Sequence, residues 1–291
     1  MTLIISVIIF FLLSKTQTVK PLQIKTLKIT TSFYPLAFLA ETIGGQQVIV
    51  TNLTPPGAEP HDFEPSTRDI AQLEFQDIIL LNGGGLEGYM DKIKENIDSK
   101  KTSLVIVGQP LMSDPQDPHV WLDPILYKKE AEMVTTAFIQ KDPAHTPQYK
   151  ANMERLAKEV DMLDIEFKQG LHSCKQKNII TSHKAFSYLA ARYGLHQITL
   201  AGLSPEQEPS TKTLAEVATF AKTNKIRYIF FEELASPVIA ETIAREVGAK
   251  ILMLNPLEGL TQKDCVVGKT YVTIQKENLK NLQIALGCTS L

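Results

Sequence analysis

Gln148-Tyr149-Lys150-Ala151-Asn152-Met153-Glu154-Arg155-Leu156-Ala157-Lys158-Glu159-Val160 is the stretch that decides the fold. Its composition favours helix, no Pro or Gly interrupts it before Gly170, and Met153, Leu156, Val160, Leu163 and Phe167 recur at three-to-four spacing. One long helix over 143–173 is predicted, near the middle of a 291-residue chain that is too long for one ordinary domain. A flexible hinge would be rich in Gly and Ser, so a helical connector predicts two domains that rock only slightly.

On either side of that helix, apolar β-branched runs alternate with helical patterns. Strands are expected near Leu27–Thr31, Val48–Leu53, Asp77–Asn82 and Ser103–Val107, then near Asn178–Thr181, Gln197–Leu200, Arg227–Glu232 and Lys250–Leu254. Helices are expected over Ala71–Phe75, Leu86–Ile97, Thr213–Ala221 and Val238–Val247. Strands that read as continuously apolar are strands of a parallel sheet covered on both faces. The predicted fold is α/β: two doubly wound parallel-sheet lobes, 21–142 and 174–291, joined by the long rigid helix over 143–173.

The formal charge of -2 and the absence of a dense basic run with interleaved aromatics give no reason to expect nucleic acid. Met1-Thr2-Leu3 opens a nearly unbroken apolar run to Leu13, followed by Ser14-Lys15-Thr16-Gln17-Thr18. That length suits a signal peptide over residues 1–20 and is short of the roughly 20 apolar residues of a membrane span. Export is expected, although no Lys or Arg precedes the run and no Ala-x-Ala follows it. No cysteine lies near its end, so a lipid-anchored start is not predicted. Cys174, Cys265 and Cys288 lack any Cys-x-x-Cys pairing. Of the pairings open to them, Cys265 with Cys288 is expected, because the two flank the last helix.

Open α/β sheets bind ligands outside the carboxyl ends of their strands. Three of the six histidines fall there. His61 follows the second strand and His119 the fourth, while His183 follows the first strand of the second half. A lone loop histidine is more often a surface group, but three at strand ends, split across both halves, suggest a metal site in a shared cleft. A tetrahedral zinc site needs a fourth donor, and Glu258 in Asn255-Pro256-Leu257-Glu258-Gly259-Leu260, after the last strand, is the candidate. Glu232 and Glu233 are placed to hold a ligand imidazole. Asp62, Glu64 and Asp123 read as capping groups or acceptors. Asp123 before Pro124 fits an N-cap, and Ser66 with Asp69 fits a capping box. His145, His172 and His196 lack the strand-end context and receive no role. No His-Glu-x-x-His motif is present, no catalytic residue is assigned, and a zinc hydrolase is the reading from another class.

Pro55-Pro56-Gly57-Ala58-Glu59-Pro60-His61-Asp62-Phe63-Glu64-Pro65, Asp117-Pro118-His119-Val120-Trp121-Leu122-Asp123-Pro124 and Thr181-Ser182-His183-Lys184-Ala185-Phe186-Ser187-Tyr188-Leu189-Ala190 resemble segments of the metal-binding solute-binding proteins of ABC importers, in their zinc and manganese cluster. The likeness runs from about Thr30 to Asn281. It implies two α/β lobes, a linking helix, a metal buried between the lobes, and delivery of that metal to a cognate ABC membrane permease and its ATPase. A periplasmic, monomeric, non-enzymatic protein is expected. In that family the position of His183 is histidine in zinc binders and usually glutamate in manganese binders, and imidazole-rich sites favour zinc. Zn2+ is therefore the expected cargo, with Mn2+ or ferrous ion as the alternative. Many zinc members carry a His- and acid-rich loop before the second ligand, where this chain has only Gln109-Pro110-Leu111-Met112-Ser113-Asp114-Pro115-Gln116. The fourth ligand varies within the family, as aspartate, glutamate or water, and Glu258 is the choice here. A role in adhesion, proposed for some relatives, leaves no readable trace.

Overall fold

The mid-chain pattern folds as one helix of 27 residues, Thr146–His172, entered through a 3-10 turn over Pro143–His145. This computed structural model describes residues 26–205 and 207–289, so the leader expected over 1–20 lies outside the described residues. Among the described residues no helix is long and apolar enough to cross a membrane.

The first half runs β1 (Leu27–Thr31), α1 (Tyr34–Gly44), β2 (Val48–Asn52), α2 (Thr67–Gln72), β3 (Ile78–Leu81), α3 (Met90–Asn96), β4 (Ser103–Ile106) and α4 (Pro124–Lys141). The long helix is α5. The second half runs β5 (Asn178–Thr181), α6 (Ser187–Tyr193), β6 (His196–Thr199), α7 (Thr211–Thr223), β7 (Tyr228–Phe231), α8 (Val238–Val247), β8 (Lys250–Met253), α9 (Gln262–Val267) and α10 (Tyr271–Leu286). All pairings between these strands are parallel, and an isolated antiparallel bridge joins Cys174 and Cys288. The first sheet has the order β2-β1-β3-β4, with Leu27 opposite Val48 and Ile78 opposite Ser103. The second half differs from the single sheet expected. Its strands pair as two ribbons, β5-β6 and β7-β8, with β5 lying beside β7. Strands of four residues offer few ladder positions, and across that seam the Ser182 hydroxyl reaches the Phe230 carbonyl at 3.4 Å.

Along α5, Tyr149, Leu156, Val160, Leu163, Phe167 and Leu171 are buried, a stripe that keeps the predicted spacing. Full burial of each such side chain is worth roughly 1.5–3 kcal/mol. The stripe packs on α1 and α4 from the first half and on α6 and α10 from the second. The largest apolar core consequently runs through both halves, from Leu27 to Leu286, and smaller clusters line the outer faces of each sheet. The helix thus carries one core through both halves.

Two further expectations are corrected. The predicted helix over Leu86–Ile97 begins only at Met90, because Gly83, Gly84 and Gly85 take positive φ and carry the chain through turns. The disulfide joins Cys174 to Cys288, while Cys265 is free and exposed. Cys265 and Cys288 lie at opposite ends of α10, which at about 1.5 Å per residue is about 24 Å long, beyond the reach of a disulfide. Cys174 ends α5 and Cys288 ends α10, and those two helices run side by side.

Candidate metal centre

Parallel strands end on one edge, and the polar loops gather there. His61 comes from the loop after β2, His119 from the loop after β4, His183 from just beyond β5 and Glu258 from the loop after β8. The structure brings all four together, with one ligand atom of each within 4.8 Å of the others. The Nε2 atoms of His61 and His119 are 3.2 Å apart, and those of His119 and His183 are 3.3 Å apart. Glu258 Oε1 lies 3.3 Å from His61, 3.2 Å from His119 and 3.2 Å from His183. A regular tetrahedron with edges like these five has a centre about 2.0 Å from each corner, the bond length of zinc to imidazole nitrogen and carboxylate oxygen, and the sixth pair, His61 with His183, lies within 4.8 Å. Calcium needs longer bonds and more oxygens, and manganese favours an oxygen-rich octahedron.

Two of the three imidazoles, those of His119 and His183, are aimed by a carboxylate on the far side. Asp117 accepts from His119 Nδ1 at 2.8 Å and from the His119 amide at 3.2 Å. Glu232 accepts from His183 Nδ1 at 2.5 Å and from the His183 amide at 3.1 Å. With Nδ1 donating, the Nε2 lone pairs face one another, an arrangement that repels itself unless a cation or proton sits among them. The His183 carbonyl is held in turn by Thr181 Oγ1 and Gln197 Nε2.

Glu258 rests on a turn with Leu257 in the left-handed region, at φ 62°. Asn255 Oδ1 accepts from the Leu257 amide, Asn278 brackets the backbone of Asn255 from α10, and Trp121 Nε1 donates to the Pro256 carbonyl at 2.8 Å. Burial alone would disfavour the Glu258 anion, but the His183 charge and the three imidazole contacts outweigh it and hold its carboxyl well below the usual range. Burial likewise opposes protonation of His183, yet Glu232 and Glu258 on either side raise it well above an ordinary imidazole. Glu258 Oε2 is buried with no hydrogen-bond partner in the protein, an acceptor left over at the centre.

The other predicted residues fall elsewhere. Asp62 is exposed, Glu64 pairs with Lys92, and Asp123 caps α4 while also binding Arg192. Ser66 and Asp69 form the capping box of α2. Glu233 accepts from Asn255 and is separate from the imidazoles. His145 pairs with Asp142, His172 with Ser173, and His196 is exposed. Sequence reasoning missed Asp117, because a place two residues from a ligand histidine does not by itself mark an acceptor. It also missed Asn82, which donates to the Pro118 carbonyl at 3.0 Å and so sets the His119 loop. Glu87 anchors that asparagine by accepting from the amides of Asn82 and Gly83 and from the Ser32 hydroxyl.

Parallel sheets on either side of one long helix, with a closed donor set between their strand ends, define a two-lobed α/β binding protein. Residues 29–285 match the family described as ZnuA, the periplasmic zinc-uptake complex component A. The chain belongs to that family. It is 35% identical over 279 residues to the high-affinity zinc uptake system protein ZnuA of Bacillus subtilis, covering 89% of this chain and 88% of the relative. It is 34% identical over 276 residues to the zinc-binding lipoprotein AdcA of Streptococcus pneumoniae, covering 88% of this chain and 55% of the relative, so it spans about half of that protein. The crystal structure of the Zn(II)-bound ZnuA-like domain of the same AdcA superposes with a TM-score of 0.81 at 35% identity, covering 90% of this chain and 99% of the domain.

Proposed function

We propose that this protein captures one Zn2+ outside the cytoplasm with His61, His119, His183 and Glu258 and presents it to an ABC permease and its ATPase. The observation that carries the reading is the donor set itself, three imidazole nitrogens and one carboxylate oxygen at edges of 3.2–3.3 Å among the five closest pairs. Family membership supports the transport half of the proposal. Residues 21–142 and 174–291 would be the two lobes and 143–173 their connector. The protein acts as an exported monomer and does no bond chemistry, since four protein donors leave a tetrahedral ion no position for an activated water. Copper would bind such a set at least as tightly, so supply and geometry, rather than raw affinity, make zinc the cargo.

The test is calorimetric titration of metal-stripped protein with zinc and with manganese. Zinc is expected to win at equal free ion, and preference for manganese would overturn the assignment. His145→Ala serves as the control and should bind as the parent does. Protons compete with zinc for imidazole near its ordinary pKa of about 6.5, so affinity should fall as pH drops below about 6. Equal affinity at about pH 7.5 and about pH 5.5 would contradict imidazole ligation.

A further inference from the structure

Helix α10 meets the metal centre from behind. Tyr271, Gln275 and Asn278 follow one another at helical spacing, so they share one face, and all three are buried. Tyr271 Oη donates to the Trp121 carbonyl at 2.7 Å and Gln275 Nε2 to the Leu122 carbonyl at 3.2 Å, both just beyond His119 in the chain. Asn278, a turn further on, holds the loop that carries Glu258. Its Oδ1 accepts from the Asn255 amide at 2.8 Å and its Nδ2 donates to the Asn255 carbonyl at 2.7 Å. One helix face therefore sets a ligand loop from each half in a common register.

The Glu258 loop needs such a hold. Leu257 takes φ 62°, and among the described residues only Lys225 shares a positive φ outside glycine. A residue with a side chain is disfavoured there unless its surroundings fix it. Asn255 supplies the fixing, because its Oδ1 accepts from the Leu257 amide at 2.7 Å in a side-chain-closed turn. Asn255 keeps that pose because Asn278 occupies both its amide and its carbonyl. Glu258 comes next and presents Oε1 to three imidazoles, while its Oε2 is buried without a hydrogen-bond partner. A turn pinned in this way offers an ion one oxygen at a set place, which suits four-coordinate zinc. Manganese favours more oxygens and gains less from that placement.

We propose that Asn278 is a positioning residue for the fourth ligand. It acts through Asn255 and Leu257 to keep Glu258 at the spacing zinc requires, and so helps to set the preference for zinc over manganese. This rests on the zinc-capture reading and adds a residue outside the donor set.

Competition titrations of the metal-stripped full chain with zinc and with manganese test the idea on the parent, Asn278→Ala, Glu258→Ala and the double variant. Asn281→Ala is the control, since Asn281 lies on the same helix and donates to the Met253 carbonyl at 2.9 Å. Asn278→Ala should weaken zinc about tenfold and manganese less than about threefold, and on the Glu258→Ala background it should cost zinc less than about threefold. Asn281→Ala should leave both affinities within about threefold of the parent. Unchanged zinc affinity in Asn278→Ala would overturn the proposal. Equal losses for both metals would overturn it too, as would a loss of about tenfold that persists without Glu258, because each marks a general structural role. If Asn278→Ala fails to fold, Asn278→Asp carries the same test, since it keeps the acceptor for the Asn255 amide and loses only the donor to its carbonyl. A parent protein that fails to bind zinc at all would sink the capture reading itself, and the proposal with it.

Discussion

The two walls of the metal centre are built to different standards. On the His119 wall, residues 117–123 are stitched to the second half: Trp121 Nε1 to the Pro256 carbonyl, Tyr271 Oη to the Trp121 carbonyl, Gln275 Nε2 to the Leu122 carbonyl, and Tyr188 Oη to the Asp117 carbonyl. Arg192 adds an ion pair to Asp123. On the His61 wall the first half holds the second by the bond from Gly57 to Leu260. The difference teaches that the contacts joining the two halves at the centre are concentrated on one wall. Helix α5 packs on both halves, four side-chain-to-backbone bonds join them on the stitched wall, and one backbone bond joins them on the other.

The largest expected effect comes from removing a sealed ligand. If binding of a zinc ion at about 10–16 kcal/mol is shared over four donors, each contributes about 3 kcal/mol, so His183→Ala should weaken zinc at least about a hundredfold by competition titration. His61→Ala should lose as much affinity, with the far-ultraviolet spectrum of both variants unchanged. Glu258→Ala should cost less than either, since water can take its place.

Next comes the carboxylate behind the stitched wall. Asp117→Asn should cost about 10–100-fold in zinc affinity, while Asp62→Asn, on the other wall and exposed, should cost nothing measurable. Equal losses in the two would erase the contrast between the walls. Trp121→Phe leaves the Pro256 carbonyl without its donor in a buried seam. It should lower unfolding free energy by about 1–3 kcal/mol in denaturant titrations and change zinc affinity less than Asp117→Asn does.

Glu130 probes the same wall through pH. It is fully buried on α4 with neither carboxylate oxygen hydrogen-bonded, and burial raises its pKa well above the usual value. The folded state therefore keeps a proton that the unfolded chain releases near its ordinary pKa of about 4.3. Stability from this group is complete below that value and is lost as pH rises toward the folded pKa. Glu130→Met should raise Tm, and the gain should be larger at about pH 8 than at about pH 4. A gain independent of pH would show that Glu130 is not held protonated. The smallest effect is expected at Gly57, whose φ of 87° favours glycine although no atom crowds its Cα. Gly57→Ala should strain the bond to Leu260 and speed zinc exchange by only a few fold, at a cost of about 1 kcal/mol.

Much of the site was legible before the fold. Hydrophobic runs located all eight described strands to within a residue or two, and His61, His119 and His183 stood out because each follows a strand end. Glu232 was readable for the same reason. Asp117 was not, because nothing local distinguishes it from Asp62 or Glu64, which share its proximity to a ligand histidine. Only the direction of each side chain separates an acceptor for His119 from an exposed carboxylate. Asn82 was invisible because its task is performed 36 residues away, at Pro118. The Cys265–Cys288 pairing failed since closeness in sequence was taken for closeness in space, and the rigid rod of α10 keeps those ends apart.

By itself the sequence determined the α/β class, the long connecting helix and the three imidazoles, because periodicity and strand-end position are local properties written in neighbouring residues. The tertiary structure alone decided that the donors close to about 3.2 Å, that Cys174 meets Cys288, and that one wall is stitched while the other is latched. Those outcomes depend on pairs of side chains brought together across the chain by a shared core, and such distances have no local signature.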